Sequence, residues 1–108
     1  MKEQLRAIVE EYASMGETVQ YGELMKQVGL SHNNHGQRAQ FGMKLRDICG
    51  DTFETEGFML CSIVVAKATG MPSAPFFKKA REIGALEHED EQAFFEEQRN
   101  KAFEFYGT

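Results

Sequence analysis

The chain has 108 residues, of which 42% are hydrophobic, and a formal net charge of −5. That length allows one hydrophobic core but not two, and no apolar stretch reaches the roughly 20 residues with which a helix crosses a bilayer. An acidic chain is a poor general binder of polyanions, because lysine and arginine supply most non-specific affinity for nucleic acid, so nucleic-acid binding would require a locally basic face.

The two cysteines, Cys49 and Cys61, are preceded by no apolar leader sequence. Such cysteine usage is typical of proteins in a reducing compartment, so we predict a cytoplasmic protein with two free thiols. Cys61 lies in an apolar run with no histidine beside it in sequence. Because burial among aliphatic side chains disfavours the thiolate, this cysteine is predicted to be inert.

Three helices are predicted in the first half of the chain. Apolar residues recur at helical spacing over residues 2–15, 21–28 and 37–49. Between the first two helices, residues 18–20 form a short β-prone link that could pair with a later strand. The third helix is predicted to turn one face inward and the other toward water. The inward residues are Phe41, Leu45, Ile48 and Cys49, and the outward residues are Arg38, Gln40, Lys44 and Asp47.

Residues 31–36 contain no apolar side chain and are rich in groups that bond to nearby backbone, which predicts a polar loop. His32 and His35 in this loop are spaced like a pair of metal ligands. Two histidines without a Cys-x-x-Cys motif or a set of carboxylates do not complete a tetrahedral site. We therefore predict no metal and assign these polar residues to capping the third helix.

A buried strand is the main prediction for the second half of the chain. Residues 59–66 form a short apolar run with three β-branched side chains, bounded by turn-forming residues. Residues 52–56 precede this run, and pairing of the two segments would make a β-hairpin. A helix is predicted to begin at Pro75 and to end before Gly84, and a last helix to begin after Asp90, whose carboxylate is suited to capping it.

Together these elements predict an α+β fold of the winged helix-turn-helix type. Residues 1–86 would form the domain, with the hairpin as the wing of a small antiparallel sheet beside three helices. Residues 87–108 would add a C-terminal amphipathic helix. Its apolar side chains cover more than a third of its surface, so it is predicted to pack on the domain or at a subunit contact.

Residues 16–30 (GETVQYGELMKQVGL) resemble the GxxxxYGELA element of the winged-helix domain in O6-alkylguanine-DNA alkyltransferases and alkyltransferase-like proteins. In that family a tyrosine and an arginine act on DNA, and the resemblance places these roles on Tyr21 and Arg38. The family's Pro-Cys-His-Arg-Val motif carries a cysteine that accepts the alkyl group, with the histidine as its base. Residues 60–64 read LCSIV, which keeps the cysteine but not the histidine. The resemblance therefore implies the fold and a DNA-facing surface, and it does not imply alkyl transfer.

The function predicted from these features is a non-enzymatic nucleic-acid-binding or regulatory module, with double-stranded DNA as its partner and no cofactor. Residues 62–81 are also similar to small uncharacterised proteins of bacteria and their phages, which implies a bacterial or phage origin. Positive charge is concentrated on the third helix and in residues 67–81. The residues predicted to contact nucleic acid are Tyr21, Asn34, Gln37, Arg38, Lys44, Arg46 and Lys67.

An alternative function is an acidic protein-interaction module, or an inhibitor that binds a nucleic-acid-processing partner. Its aromatic last helix would dock through Phe95, Phe103 and Tyr106 on a protein partner or on a second copy in a homodimer, and the late acidic stretch would select basic surfaces. A weaker alternative is an alkyltransferase-like protein that uses Cys61 as the acceptor.

Overall fold

Five α-helices and a short 3₁₀ helix make up most of the molecule in the computed structural model, which describes residues 2–31 and 33–107. In chain order the elements are α1 (Lys2–Ser14), β1 (Val19–Gln20), α2 (Tyr21–Gln27), α3 (His35–Glu56), the 3₁₀ helix (Leu60–Ile63), β2 (Val64–Val65), α4 (Ala74–Glu82) and α5 (Glu91–Tyr106). Across these two described ranges, no helix is both long enough and apolar enough to span a membrane.

Over residues 2–31 and 33–107 the sheet has two strands, β1 and β2, and they run parallel. The predicted antiparallel hairpin is wrong, and the winged-helix assignment is wrong with it. Residues 52–56, which were expected to form the first strand of the hairpin, continue α3 until Gly57 ends the helix in a left-handed conformation (φ 82°). The link at residues 18–20 does pair with the later apolar run. Because the connection between the strands passes through α2 and α3, the strands can lie side by side in the same direction.

The apolar run at residues 59–66 is a 3₁₀ helix followed by a two-residue strand, not the single strand predicted. Every residue from 58 to 65 is buried, because α1, α3 and α5 all pack around this segment. A segment covered on all sides is apolar whatever its backbone conformation, so periodicity cannot assign it. Side chains replace the missing ladder partners: Met59 N donates to Gln98 Oε1 (2.8 Å), and Leu60 N donates to Thr52 Oγ1 (3.0 Å).

The predicted caps of α3 and α5 are confirmed, and so is the predicted inward face of α3. Asn34 and Asp90 each accept, through Oδ1, a hydrogen bond from the backbone N–H three residues later (3.0 and 2.9 Å). α3 begins at His35, two residues before the predicted start, so the polar loop is shorter than expected. Arg38 is exposed on the outer side of the helix. The four residues predicted to face inward, Phe41, Leu45, Ile48 and Cys49, are all buried.

The last helix, α5, lies against α1 and the 3₁₀ helix. Its Phe94, Phe95, Gln98 and Ala102 are buried. The ring of Phe94 meets the ring of Phe76 in α4 edge-on, with centroids 6.0 Å apart. Residues of α5 therefore belong to the same apolar core as those of the first 86 residues.

Candidate nucleic-acid interface

An open cavity of about 480 Å³ lies between α2, α3 and the start of α4. Its walls are mostly apolar, and two arginines, Arg38 and Arg46, also line it. The larger apolar and aromatic lining residues are Tyr21, Met25, Phe41, Leu45 and Phe76. Ligand sites in proteins are commonly concave, mainly apolar and supplied with a few polar groups, in volumes of about 300–1,000 Å³. The cavity is therefore the candidate site.

α3 supplies the charged side of the cavity through a row of residues spaced four apart: Arg38, Gly42, Arg46 and Gly50. Residues at this spacing share one face of a helix, and the row is about 18 Å long at about 1.5 Å per residue. Gly42 leaves room for an arginine, since a Cβ there would lie 3.2 Å from Arg46 Nη1. Lys79 of α4 lies alongside Gly50, where an added Cβ would be in ordinary contact with Lys79 Cε at 3.4 Å. Arg46 and Lys79 thus each lie against the helix beside a glycine.

A second depression, of about 450 Å³, adjoins the cavity beside α4. Arg46 and Pro75 line both, so the two depressions form one surface. Lys78 and Lys79 add positive charge to the second depression, opposed by the single carboxylate of Glu82. We call the two depressions, with the cations that line them, the basic groove. Those cations are Arg38, Arg46, Lys78 and Lys79.

Within residues 2–31 and 33–107, the cations of the basic groove form no ion pair with a carboxylate. The ion pairs lie elsewhere: Lys2–Asp51, Arg6–Glu10, Arg81–Glu91 and Lys101–Glu97. Arg38 and Lys78 are exposed, whereas Arg46 and Lys79 are half-buried. A chain with a net charge of −5 therefore has one surface on which positive charge is not neutralised by its own side chains.

Tyr21 holds the α2 side of the cavity in place. Its hydroxyl oxygen accepts hydrogen bonds from Ser73 N (3.0 Å) and Ser73 Oγ (3.2 Å), and its ring meets Phe41 edge-on with centroids 6.5 Å apart. These contacts join the first residue of α2 to the residue that precedes α4 and to α3.

Several residues predicted to contact nucleic acid come together, and others do not. Tyr21, Arg38 and Arg46 line the cavity. Lys44 and Lys67 line neither depression, and Lys67 lies in the turn that follows β2. The structure thus gathers the tyrosine and two arginines of the predicted set into one site.

Two further predicted contacts, Asn34 and Gln37, already have a local structural role. Asn34 Oδ1 accepts from Gln37 N, and Gln37 Oε1 accepts from Ser31 N at 2.7 Å. Lys78 and Lys79 belong to the basic concentration in residues 67–81, and the sequence could not show that they approach α3, because that approach is a tertiary contact. Gly42 and Gly50 each lie four residues from Arg46, and this spacing is the sequence signal from which the row on α3 could have been predicted.

Cys49 of α3 and Cys61 of the 3₁₀ helix are paired as a disulfide, with Cα atoms 5.5 Å apart. The prediction of two free thiols is therefore wrong. Both cysteines also line the cavity. In the described part of the chain, no three His, Cys, Asp or Glu side chains are grouped as metal ligands would be. His32, one half of the predicted histidine pair, lies outside the described residues.

The aromatic residues predicted to dock on a partner contact the chain's own core. Phe95 is buried, and the guanidinium of Arg99 lies over its ring, 5.3 Å from the centroid. Phe103 and Tyr106 are half-buried, and burial raises the pKa of Tyr106 above its ordinary value. Phe105 is 50% exposed. The role of these side chains in docking stays a prediction, and their packing within the chain is the observed contact.

Comparison of the chain with protein-family models, curated proteins and solved structures gives no match. The likeness to the alkyltransferase family therefore stays a prediction. The three residues to which the resemblance assigns the family's tyrosine, arginine and cysteine, namely Tyr21, Arg38 and Cys61, line the same cavity. Any function has to be argued from the chemistry of this cavity and the groove around it.

Proposed function

We propose that the protein is a non-enzymatic nucleic-acid-binding module of bacterial or phage origin that acts in the cytoplasm. The observation that supports this most directly is the basic groove, in which four cations line an aromatic cavity and the depression beside it. These cations have no carboxylate partner in the described ranges. Unpaired cations attract a polyanion and an aromatic cavity attracts a flat ring, and nucleic acid presents both groups together.

In this proposal the row on α3 follows the phosphate backbone. Its length of about 18 Å matches about five nucleotides at the roughly 3.4 Å rise of one strand of duplex DNA. Arg38 and Arg46 would contact phosphates, and Lys78 and Lys79 would extend the contact toward α4. Each neutralised phosphate releases counterions, so affinity is expected to fall steeply as salt is raised.

The cavity would receive one base that has left the stack. Tyr21, Phe41 and Phe76 line it, and stacking of a base on an aromatic side chain contributes about 1–3 kcal/mol. Extruding a base from a duplex costs roughly a few kcal/mol, and the cost is least where the base is mismatched or already single-stranded. A duplex with one mismatch is therefore expected to bind more tightly than a fully paired duplex of the same length.

The phosphate contacts are tested by fluorescence anisotropy with a labelled duplex, titrated between about 50 and about 200 mM salt. Replacing either Arg38 or Arg46 with alanine should make the decrease of log affinity with log salt concentration less steep, by about one unit of slope. Lys101→Ala is the matched control, because Lys101 is an exposed cation on α5, outside the basic groove. Absence of binding at the low-salt end, or an equal effect of Lys101→Ala, would contradict the proposal.

The cavity is tested separately with Ala39→Trp. Ala39 is exposed on α3 and lines the cavity, so a larger side chain there fills the space without changing the charge. This variant should lose the preference for the mismatched duplex while its salt slope stays unchanged. Ala7→Trp, at an exposed position on α1, should keep both properties. If Ala39→Trp keeps the full preference, the cavity does not receive a base.

A further inference from the structure

The two cysteines meet at the wall of the cavity. Cys49 and Cys61 are separated by 12 positions in sequence, and their Cα atoms are 5.5 Å apart, within the range of about 4.4–6.8 Å that a disulfide spans. Only 1% of Cys49 and 3% of Cys61 is exposed, yet both line the cavity.

We propose that Cys49 and Cys61 form a reversible redox pair, a modification site that disulfides of the glutathione class oxidise through the cavity. One cysteine thiolate attacks a sulfur of the small disulfide, whose S–S bond breaks and releases one small thiol. The second thiolate attacks the mixed disulfide, forms the Cys49–Cys61 bond and releases the second small thiol. Two electrons pass to the small disulfide, and the two protons of the protein thiols end on the released thiols.

Both redox states are compatible with the fold, because other contacts hold α3 and α5 to the 3₁₀ helix and to the residue that precedes it. Leu60 N donates to Thr52 Oγ1 of α3, and Met59 N donates to Gln98 Oε1 of α5. Neither hydrogen bond involves a cysteine. Disulfides in a reducing cytoplasm are mostly transient and serve catalysis or redox sensing. A pair that can open and close without unfolding the chain is suited to that role.

The surroundings of the pair favour exchange at this position. Arg38 and Arg46 line the same cavity, and nearby positive groups favour the attacking thiolate over the thiol. Arg46 and Arg38 precede Cys61 by 15 and 23 positions in sequence, so only the folded chain brings them to it. The inference goes beyond the proposed function and shares with it only the cytoplasmic location, since it requires that the cavity admit a small thiol or disulfide and not that it bind nucleic acid.

The test starts from the fully reduced protein, equilibrated in buffers with an increasing ratio of oxidised to reduced glutathione. Samples are quenched with acid, their thiols are labelled with N-ethylmaleimide, and the intact mass is measured. The expected result is a transition from a doubly labelled chain to an unlabelled chain that has lost two hydrogens, and its reversal when the ratio is lowered. A chain that stays doubly labelled, stops at a glutathione adduct, or cannot be reduced again by glutathione would overturn the proposal.

Two sets of variants complete the experiment. Cys49→Ser and Cys61→Ser each leave one thiol and should never lose two hydrogens, which ties the wild-type mass change to a bond within the chain. Ala39→Trp should slow oxidation severalfold because it fills the cavity, whereas Ala7→Trp on α1 should not. Circular dichroism of each variant checks that the fold is kept. Equal oxidation rates for the two tryptophan variants would overturn the cavity as the route.

Discussion

Two polar side chains inside the core allow the 3₁₀ segment to lie at the centre of the molecule. Thr52 and Gln98 are 0% and 3% exposed, and they accept the backbone N–H groups of Leu60 and Met59. Thr52 Oγ1 also donates to Cys49 O at 3.2 Å. A buried N–H group without an acceptor costs about 1–3 kcal/mol, so each of these side chains offsets a penalty that the backbone cannot avoid here.

Thr52→Val keeps the shape of the side chain and removes its hydroxyl. The variant is expected to lower the free energy of unfolding by about 1–3 kcal/mol, because Leu60 N loses its acceptor in a buried position. Thr55→Val is the matched control. Thr55 Oγ1 donates to Asp51 O in the same helix but at an exposed position, so its replacement should change stability by no more than about 0.5 kcal/mol. Urea unfolding measures both, and equal effects would contradict the role given to Thr52.

At the scale of the secondary-structure elements, α3 connects the core to the basic groove. Its 22 residues extend about 33 Å. The inner face buries Phe41, Leu45 and Ile48, and the outer row carries Arg38 and Arg46. The hydrogen bond at Asn34 closes the first turn of the helix, directly before Arg38. The order of that turn, and with it the position of the first cation, therefore depends on the cap.

Replacement of Asn34 separates capping from a direct contact with nucleic acid. Asn34→Ala is expected to lower the free energy of unfolding by about 1 kcal/mol, because the first turn loses its acceptor, while Asn34→Ser should retain most of the stability. Asn33→Ala changes a neighbouring exposed residue outside the cap and should have little effect. Thermal and urea unfolding of the three variants measure this. If Asn34→Ser lowers the free energy of unfolding as much as Asn34→Ala does, the capping role of Asn34 is contradicted.

On the scale of the whole molecule, the last helix shares the core and lies away from the basic groove. Acidic side chains are concentrated from residue 87 onward, and α5 lies on α1 and the 3₁₀ helix. The basic groove lies between α2, α3 and α4. α3 itself carries four carboxylates, so the positive surface depends on which side chains line the groove, namely four cations and the single carboxylate of Glu82.

Phe94→Ala tests whether α5 belongs to one cooperative unit with the rest of the chain. Phe94 is 3% exposed and contacts Phe76 of α4, so its truncation is expected to lower the free energy of unfolding by about 3–5 kcal/mol. Phe105→Ala is the control on the same helix, because Phe105 is 50% exposed and its loss should cost about 1 kcal/mol or less. Unfolding is followed by circular dichroism. A small effect of Phe94→Ala would indicate that residues 87–108 are an appended helix instead.

Part of the candidate site could be predicted from the sequence because its signals are local. Arg38 lies on the outer face of a helix whose inner face is marked by Phe41, Leu45 and Ile48, and that periodicity is readable without any tertiary contact. Arg46 follows on the same helix. The depression beside α4 could not be predicted, because it forms where Lys79 approaches Gly50, and residues 29 positions apart leave no local pattern.

The sequence by itself determined the positions of most helices, the Asn34 and Asp90 caps and the residues that α3 buries. These features arise from contacts and hydrogen bonds within a few residues of chain. Only the tertiary structure decided the parallel sheet, the 3₁₀ helix in place of a strand, the cysteine pairing and the cavity. The physical reason is the range of the contacts involved: Met59 N and its acceptor on Gln98 are 39 residues apart, and a buried segment takes the backbone conformation that its distant partners can satisfy.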